Sequence, residues 1–119
     1  MDFHIKFTNL KPDERIKGLI RKKIGPLAKF LEDVEVKRSR LGPTVHAWVE
    51  VGKASEHHKE GRIWYAECQL KMPRRSLRVE STREDLEAAI EEVKDDLSLI
   101  LQKEKDRQRS QIKRGTKKA

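Results

Sequence analysis

A single cysteine, Cys68, stands in a chain of 119 residues, so no intrachain disulfide can form and a reducing compartment fits. No apolar run approaches the ~20 residues that a membrane-crossing helix requires. The opening residues MDFHIKFTNL lack the charged-then-apolar pattern of a secretory signal. There is no internal repeat and no sign of a second domain. Hydrophobic residues make up only 35% of the chain against 40% charged, so the buried face of each element must be narrow. One domain with a modest core, in a soluble cytoplasmic protein, is the expectation.

Catalytic signatures are missing as well. No acid/base or nucleophile constellation converges, and neither a cofactor nor a small-molecule substrate is implied. His57 and His58 sit beside Glu56 and Glu60, but the pair is adjacent rather than spaced for one helical face. A solvated loop explains it better than a metal site. Cys68 falls on the inward side of a strand, where a free cysteine acts as a small hydrophobe.

What the chain has is positive charge: a formal net of +8 and a pI near 9.7. The charge is unevenly placed. Residues 83–98, REDLEAAIEEVKDDLS, hold 7 acidic and 2 basic residues, whereas residues 99–119 hold 8 basic and 2 acidic ones. A cationic end of that kind suits a polyanion, and RNA or DNA is the commonest such partner in a cytoplasm. A second cluster, Arg21-Lys22-Lys23, has no acid close to it in the sequence. Basic residues on helices are often only a solvated face; the clustering favours a phosphate contact. A lysine meets phosphate as a point charge, and an arginine forks across two oxygens. Neither contact reads base sequence.

Periodicity orders the elements. Phe3, Ile5 and Phe7 alternate with polar residues, as in a half-buried strand. A helix follows, with Pro12 at its first position and Ile16, Leu19, Ile20, Ile24, Leu27 and Leu31 along one stripe. Gly25-Pro26 should kink or interrupt it. Residues 32–43 are ambiguous, since Val34 and Val36 could begin a strand. Strands are expected over about 44–53 and 62–72, separated by a polar loop at 54–61, with a turn at Pro73-Arg74-Arg75 and a short strand carrying Leu77 and Val79. Inward positions are Val45, Ala47, Val49 and Val51, then Trp64, Ala66, Cys68 and Leu70. The final helix bears the stripe Leu86, Ala89, Ile90, Val93, Leu97, Ile100 and Leu101, with capping-box patterns at Ser81-x-x-Glu84 and Thr82-x-x-Asp85. The order β-α-β-β-β-α predicts an α+β fold. It is a four-stranded mixed sheet with both helices on one face, like double-stranded-RNA-binding domains, its first two strands parallel across a right-handed crossover.

That order, with LRVESTREDLEAAIEEV at 77–93 and KEKDRQR at 103–109, resembles the ribosome hibernation-promoting factor family. The family is also called ribosome-associated inhibitor or sigma-54 modulation protein, and this chain looks like its short form. The resemblance covers roughly residues 1–109, leaving 110–119 as an expected flexible basic tail. It implies a ribosome-binding factor that occupies the decoding region of the small subunit and holds idle ribosomes inactive. The implied partners are that subunit and its ribosomal RNA, with the free protein monomeric. The RNA-binding residues that it implies are Lys17, Arg21, Lys22, Lys23 and Lys29 on the first helix, and Lys103, Lys105, Arg107 and Arg109 on the last. The chain departs from the family pattern at Asp96 and Leu99, where cations are common. It departs again in an apparent insertion at 33–43, and in the turn KMPRRS at 71–76, longer and more basic than a tight glycine turn. Two alternatives stay open: a general RNA-binding module, and a transcription modulator acting through protein contacts. Trp48, Tyr65, His46 and His4 could line an open sheet face, where aromatics either stack bases or pack across strands.

Overall fold

The structure is a computed structural model that describes residues 2–39, 45–53, 63–73 and 75–117, with side chains over 2–34, 45–53, 63–73 and 75–106. The elements are β1 (Asp2–Thr8), α1 (Glu14–Ser39), β2 (His46–Lys53), β3 (Trp64–Lys71), β4 (Ser76–Arg83) and α2 (Leu86–Lys117). They form one sheet in the order β1-β2-β3-β4. β1 runs parallel to β2, and the other two pairings are antiparallel. The expected α+β architecture is the one found.

Alternation decides which side of the sheet is sealed. Ala47, Val49 and Val51 of β2 and Ala66, Cys68 and Leu70 of β3 are buried under Ile20, Ile24 and Leu31 of α1 and Ile90, Val93 and Leu97 of α2. The intervening residues His46, Trp48 and Lys71 face the other way and are exposed. Both helices therefore cover one face, because each strand has only one apolar side to offer. Near the end of the parallel pair, a side chain on Gly52 would run into the Thr8 carbonyl oxygen, so this register position needs glycine. Asn9, just past β1, takes a left-handed φ of 55°, a conformation asparagine tolerates better than most residues.

Several local expectations need correction. α1 is not interrupted at Gly25-Pro26; it continues for 26 residues to Ser39. Gly25 has no Cβ for the proline ring to strike, and Pro26 is exposed, so the Lys22 carbonyl that loses its donor lies on the solvent side. Val34 consequently extends a helical stripe rather than starting a strand, and residues 33–39 of the apparent insertion lengthen α1. Residues 40–43 of that insertion lie outside the described residues, as do the 54–61 loop and its histidine pair.

The helix starts also differ. α1 begins at Glu14 rather than Pro12, capped by Asp13, whose carboxylate accepts the Arg15 N–H at 2.8 Å. α2 is capped not by Ser81 or Thr82 but by Asp85, which accepts the Glu87 N–H at 3.3 Å. Ser81 and Thr82 belong to β4, paired with Ala66 and Tyr65. The sheet claims them, and β4 is longer than the short strand expected. The 71–76 connection is tight: Met72 N–H donates to the Arg75 carbonyl at 2.9 Å. The α2 backbone is helical to Lys117.

Candidate nucleic-acid interface

Helical spacing sorts the α1 cations by what lies beside them. Lys22 and Lys29 are seven residues apart and share the outward stripe of α1; Arg21 lies next to it, and all three are exposed. None of the three has an ion-pair partner among the described residues. Lys17 is half-buried and paired with Glu14 one turn earlier, at 3.1 Å. Lys23 points toward α2 and meets Glu91 at 2.9 Å. Its ammonium is held charged beyond the usual lysine range, first by the hydrogen bond to Glu91 and then by that carboxylate's charge. Glu91 is correspondingly pushed below the usual carboxylate range, chiefly by the Lys23 hydrogen bond. The sequence placed no acid beside Arg21-Lys22-Lys23; the fold brings one to Lys23.

The acidic half of α2 is largely answered within the molecule. Of the 7 carboxylates in residues 83–98, Glu87 pairs with Arg15, Glu91 with Lys23 and Lys94, Glu92 with Arg83, and Asp95 with Lys94, while Asp85 caps the helix. Hydrogen bonds from Arg83 and Ser81 hold Glu92 below the usual carboxylate range. The cationic half is different. Lys103 and Lys105 are exposed and have no carboxylate partner among the described residues. Arg83 and Lys94 are already counted in the net −5 of residues 83–98; the cations that come from elsewhere are Arg15 and Lys23, so the segment keeps a net of −3 ahead of the positive end.

Not all the implied cations form one surface. Lys103 and Lys105, two residues apart, point about 200° from each other around the helix. Arg107 and Arg109 lie on the α2 backbone, with side chains beyond those described. Leu99 is an exposed apolar residue, 59% accessible. Arg75, unremarked as a site residue in the sequence, forms an ion pair with Glu104 and ties the β3–β4 turn to α2. Nothing in the sequence signals that pairing, because 29 positions separate the two.

The open sheet face suits a polyanion less well. Trp48 stacks on His4 (5.5 Å between ring centroids, 18° between planes), and the Lys71 ammonium lies 5.1 Å over the same ring. His46 adds a tilted contact at 5.7 Å and pairs with Asp2. The ring thus already has neighbours from β1 and β3, the arrangement of cross-strand packing. Next to it, Glu50, Glu67 and Glu80 stand in register across three strands. Glu50 accepts hydrogen bonds from Thr8 and Tyr65, both at 3.2 Å, and Arg78 bridges Glu67 and Glu80. Burial first, then the charge of Glu50, raises the Tyr65 pKa. Lys6 pairs with Glu50 at 3.7 Å, so each of the three carboxylates has a cation beside it and the row offers a phosphate backbone no unpaired positive charge.

Other chemistry finds little support. Among the described residues, no group of three or more His, Cys, Asp or Glu could hold a metal. None of the described helices is long and apolar enough to cross a membrane. Cys68 is buried, and burial pushes its thiol pKa up to about 12.

The fold is similar to the N-terminal domain of Protein Y from Thermus thermophilus, with a TM-score of 0.61 and 24% identity over 87% of this chain and 98% of that one. It is also similar to a ribosomal subunit interface protein from Coxiella burnetii, with a TM-score of 0.55 and 13% identity over 87% of this chain and 99% of that one. No curated protein sequence matches the chain significantly. The family model described as Sigma 54 modulation protein / S30EA ribosomal protein matches residues 3–109, nearly the whole α+β unit, and the chain belongs to that family.

Proposed function

We propose that this chain is a non-catalytic, cytoplasmic ribosome-binding factor that occupies the decoding region of the small subunit and inhibits translation by idle ribosomes. The observation that carries this reading is a charge asymmetry. The carboxylates of α2 are mostly matched inside the fold, while Arg21, Lys22, Lys29, Lys103 and Lys105 are left exposed without carboxylate partners. Family membership supplies the ribosome as the polyanion. The mechanism asks only for occupancy: a rigid wedge, cationic where it meets ribosomal RNA, excludes messenger and transfer RNA. Such a wedge reads RNA shape and position rather than base sequence.

Co-sedimentation with small subunits, against a free-RNA control, tests this directly. With about four to six phosphates contacted, affinity should fall on the order of a hundredfold or more between about 50 and 200 mM salt. Equal binding to free RNA would favour a general RNA-binding module. Salt-independent binding, or capture of RNA polymerase or its sigma subunit instead, would favour the transcription reading. Truncation after Leu101 should abolish most inhibition of in-vitro translation, because it removes Lys103, Lys105, Arg107 and Arg109. Truncation after Arg109 removes only the basic tail and should cost far less. Full inhibition by the Leu101 truncation would move the binding surface to α1 or the sheet.

A further inference from the structure

The apolar stripe of α2 ends at Leu101, which is 5% exposed. The helix backbone continues to Lys117, about 24 Å farther along its axis. Leu97, Leu101 and Glu104 follow at helical spacing, so the place of the next core residue is taken by a carboxylate. Glu104 forms an ion pair with Arg75, and the two side chains are only 24% and 29% exposed. Arg75 is itself held: its carbonyl accepts the Met72 N–H, and Met72 is 9% exposed against the core. Among the described residues, the helix has a fixed point one turn beyond its last buried apolar side chain, Leu101. Lys103 and Lys105 flank Glu104, each about 100° around the helix from it. Whatever fixes the direction of Glu104 also sends these two cations to opposite flanks.

We infer that Arg75 and Glu104 are positioning residues: their ion pair orients the cationic end of α2 for its RNA contact. The inference rests on the ribosome-binding reading above. An unanchored helix end frays, since a few residues of helix are marginal in water without tertiary contacts. Frayed lysines would still carry their charge but would lose their geometry.

The two effects of charge and geometry have opposite signs in one variant. Glu104→Gln makes the protein more positive, so charge alone would tighten its binding to small subunits. Positioning predicts the reverse: binding weaker by about 3- to 10-fold, the factor a part-buried ion pair can supply. Arg75→Gln should weaken binding similarly. Reversing the pair, with Arg75→Glu and Glu104→Arg together, should restore it to within about twofold of the parent. Amide hydrogen exchange over residues 102–106 should speed up in both single variants, with Leu97 unchanged.

A Lys103→Ala/Lys105→Ala double variant separates the two claims. If it weakens binding while Glu104→Gln binds as well as or better than the parent, positioning is overturned and the ribosome reading stands. If it binds like the parent, these two lysines carry no contact and positioning is overturned, while Arg21, Lys22, Lys29, Arg107 and Arg109 remain to the ribosome reading. Should a single variant melt markedly lower, the reversed pair decides: a folded reversed pair that does not regain binding overturns the inference.

Discussion

Lys23 on α1 and Glu91 on α2 meet across the two helices at 2.9 Å. The contact divides what reads in sequence as one cationic run. Arg21 and Lys22 remain available to a partner, whereas Lys23 joins the helices. Arg21→Ala with Lys22→Ala should weaken ribosome binding and leave the thermal midpoint nearly unchanged, because alanine is a good helix former at exposed sites. Lys23→Ala should lower the midpoint more and affect binding less. Thermal melts beside subunit co-sedimentation test this, and indistinguishable variants would refute the division.

That ion pair and the one between Arg83 and Glu92 set an acid dependence. Glu91 and Glu92 have lowered pKa values in the folded chain. Their contribution is present above the ordinary carboxylate value of 4.5 and is lost as pH falls through their lower folded values. Lys23 is raised, so its share persists below 10.5 and disappears only as pH climbs past its folded value. Denaturant melts from neutral to acid pH should show stability falling below that carboxylate range, with a shallower fall in Glu91→Gln.

Ile90, on the inner stripe of α2, is fully buried in the core. Ile90→Ala should cost roughly 2–5 kcal/mol, the range for removing a large aliphatic side chain from a core. Chemical denaturation measures it, and a loss under about 1 kcal/mol would place Ile90 outside the core.

Two glycines should respond with opposite signs. A side chain at Gly52 meets the Thr8 carbonyl, so Gly52→Ala should destabilise by about 1–3 kcal/mol as β1 and β2 are forced apart. Gly18 lies exposed inside α1 with nothing near its missing Cβ. Gly18→Ala should stabilise by about 0.4–1 kcal/mol through helix propensity and a less disordered unfolded chain. Paired equilibrium melts compare them directly.

Cys68 gives a reporter of opening. With its thiol buried and its pKa near 12, it should react with a thiol reagent at neutral pH only when the sheet and helices separate. The labelling rate should therefore track global unfolding and rise in Ile90→Ala. Rapid labelling of the folded parent would show a path to β3 that bypasses the core.

By itself, the sequence determined the element order, the faces of the strands and the positions of both helical stripes. Those follow from periods of two and 3.6 in where apolar side chains fall, and burial enforces them wherever water is excluded. Local chemistry was less decisive where two structures competed for the same residues. Ser81 and Thr82 have the pattern of a helix cap, yet pairing with Ala66 and Tyr65 in the sheet outweighs one capping hydrogen bond. Gly25-Pro26 reads as a break, yet a glycine before the proline removes the Cβ part of the clash and the helix runs on. The functional charges were the least legible from sequence. Lys23 is separated from Glu91, and Arg75 from Glu104, by tens of residues, and charge pairing depends on distance in space. Sequence counted the cations; only the packing of α1 and the β3–β4 turn against α2 decided which of them stay free to meet a partner.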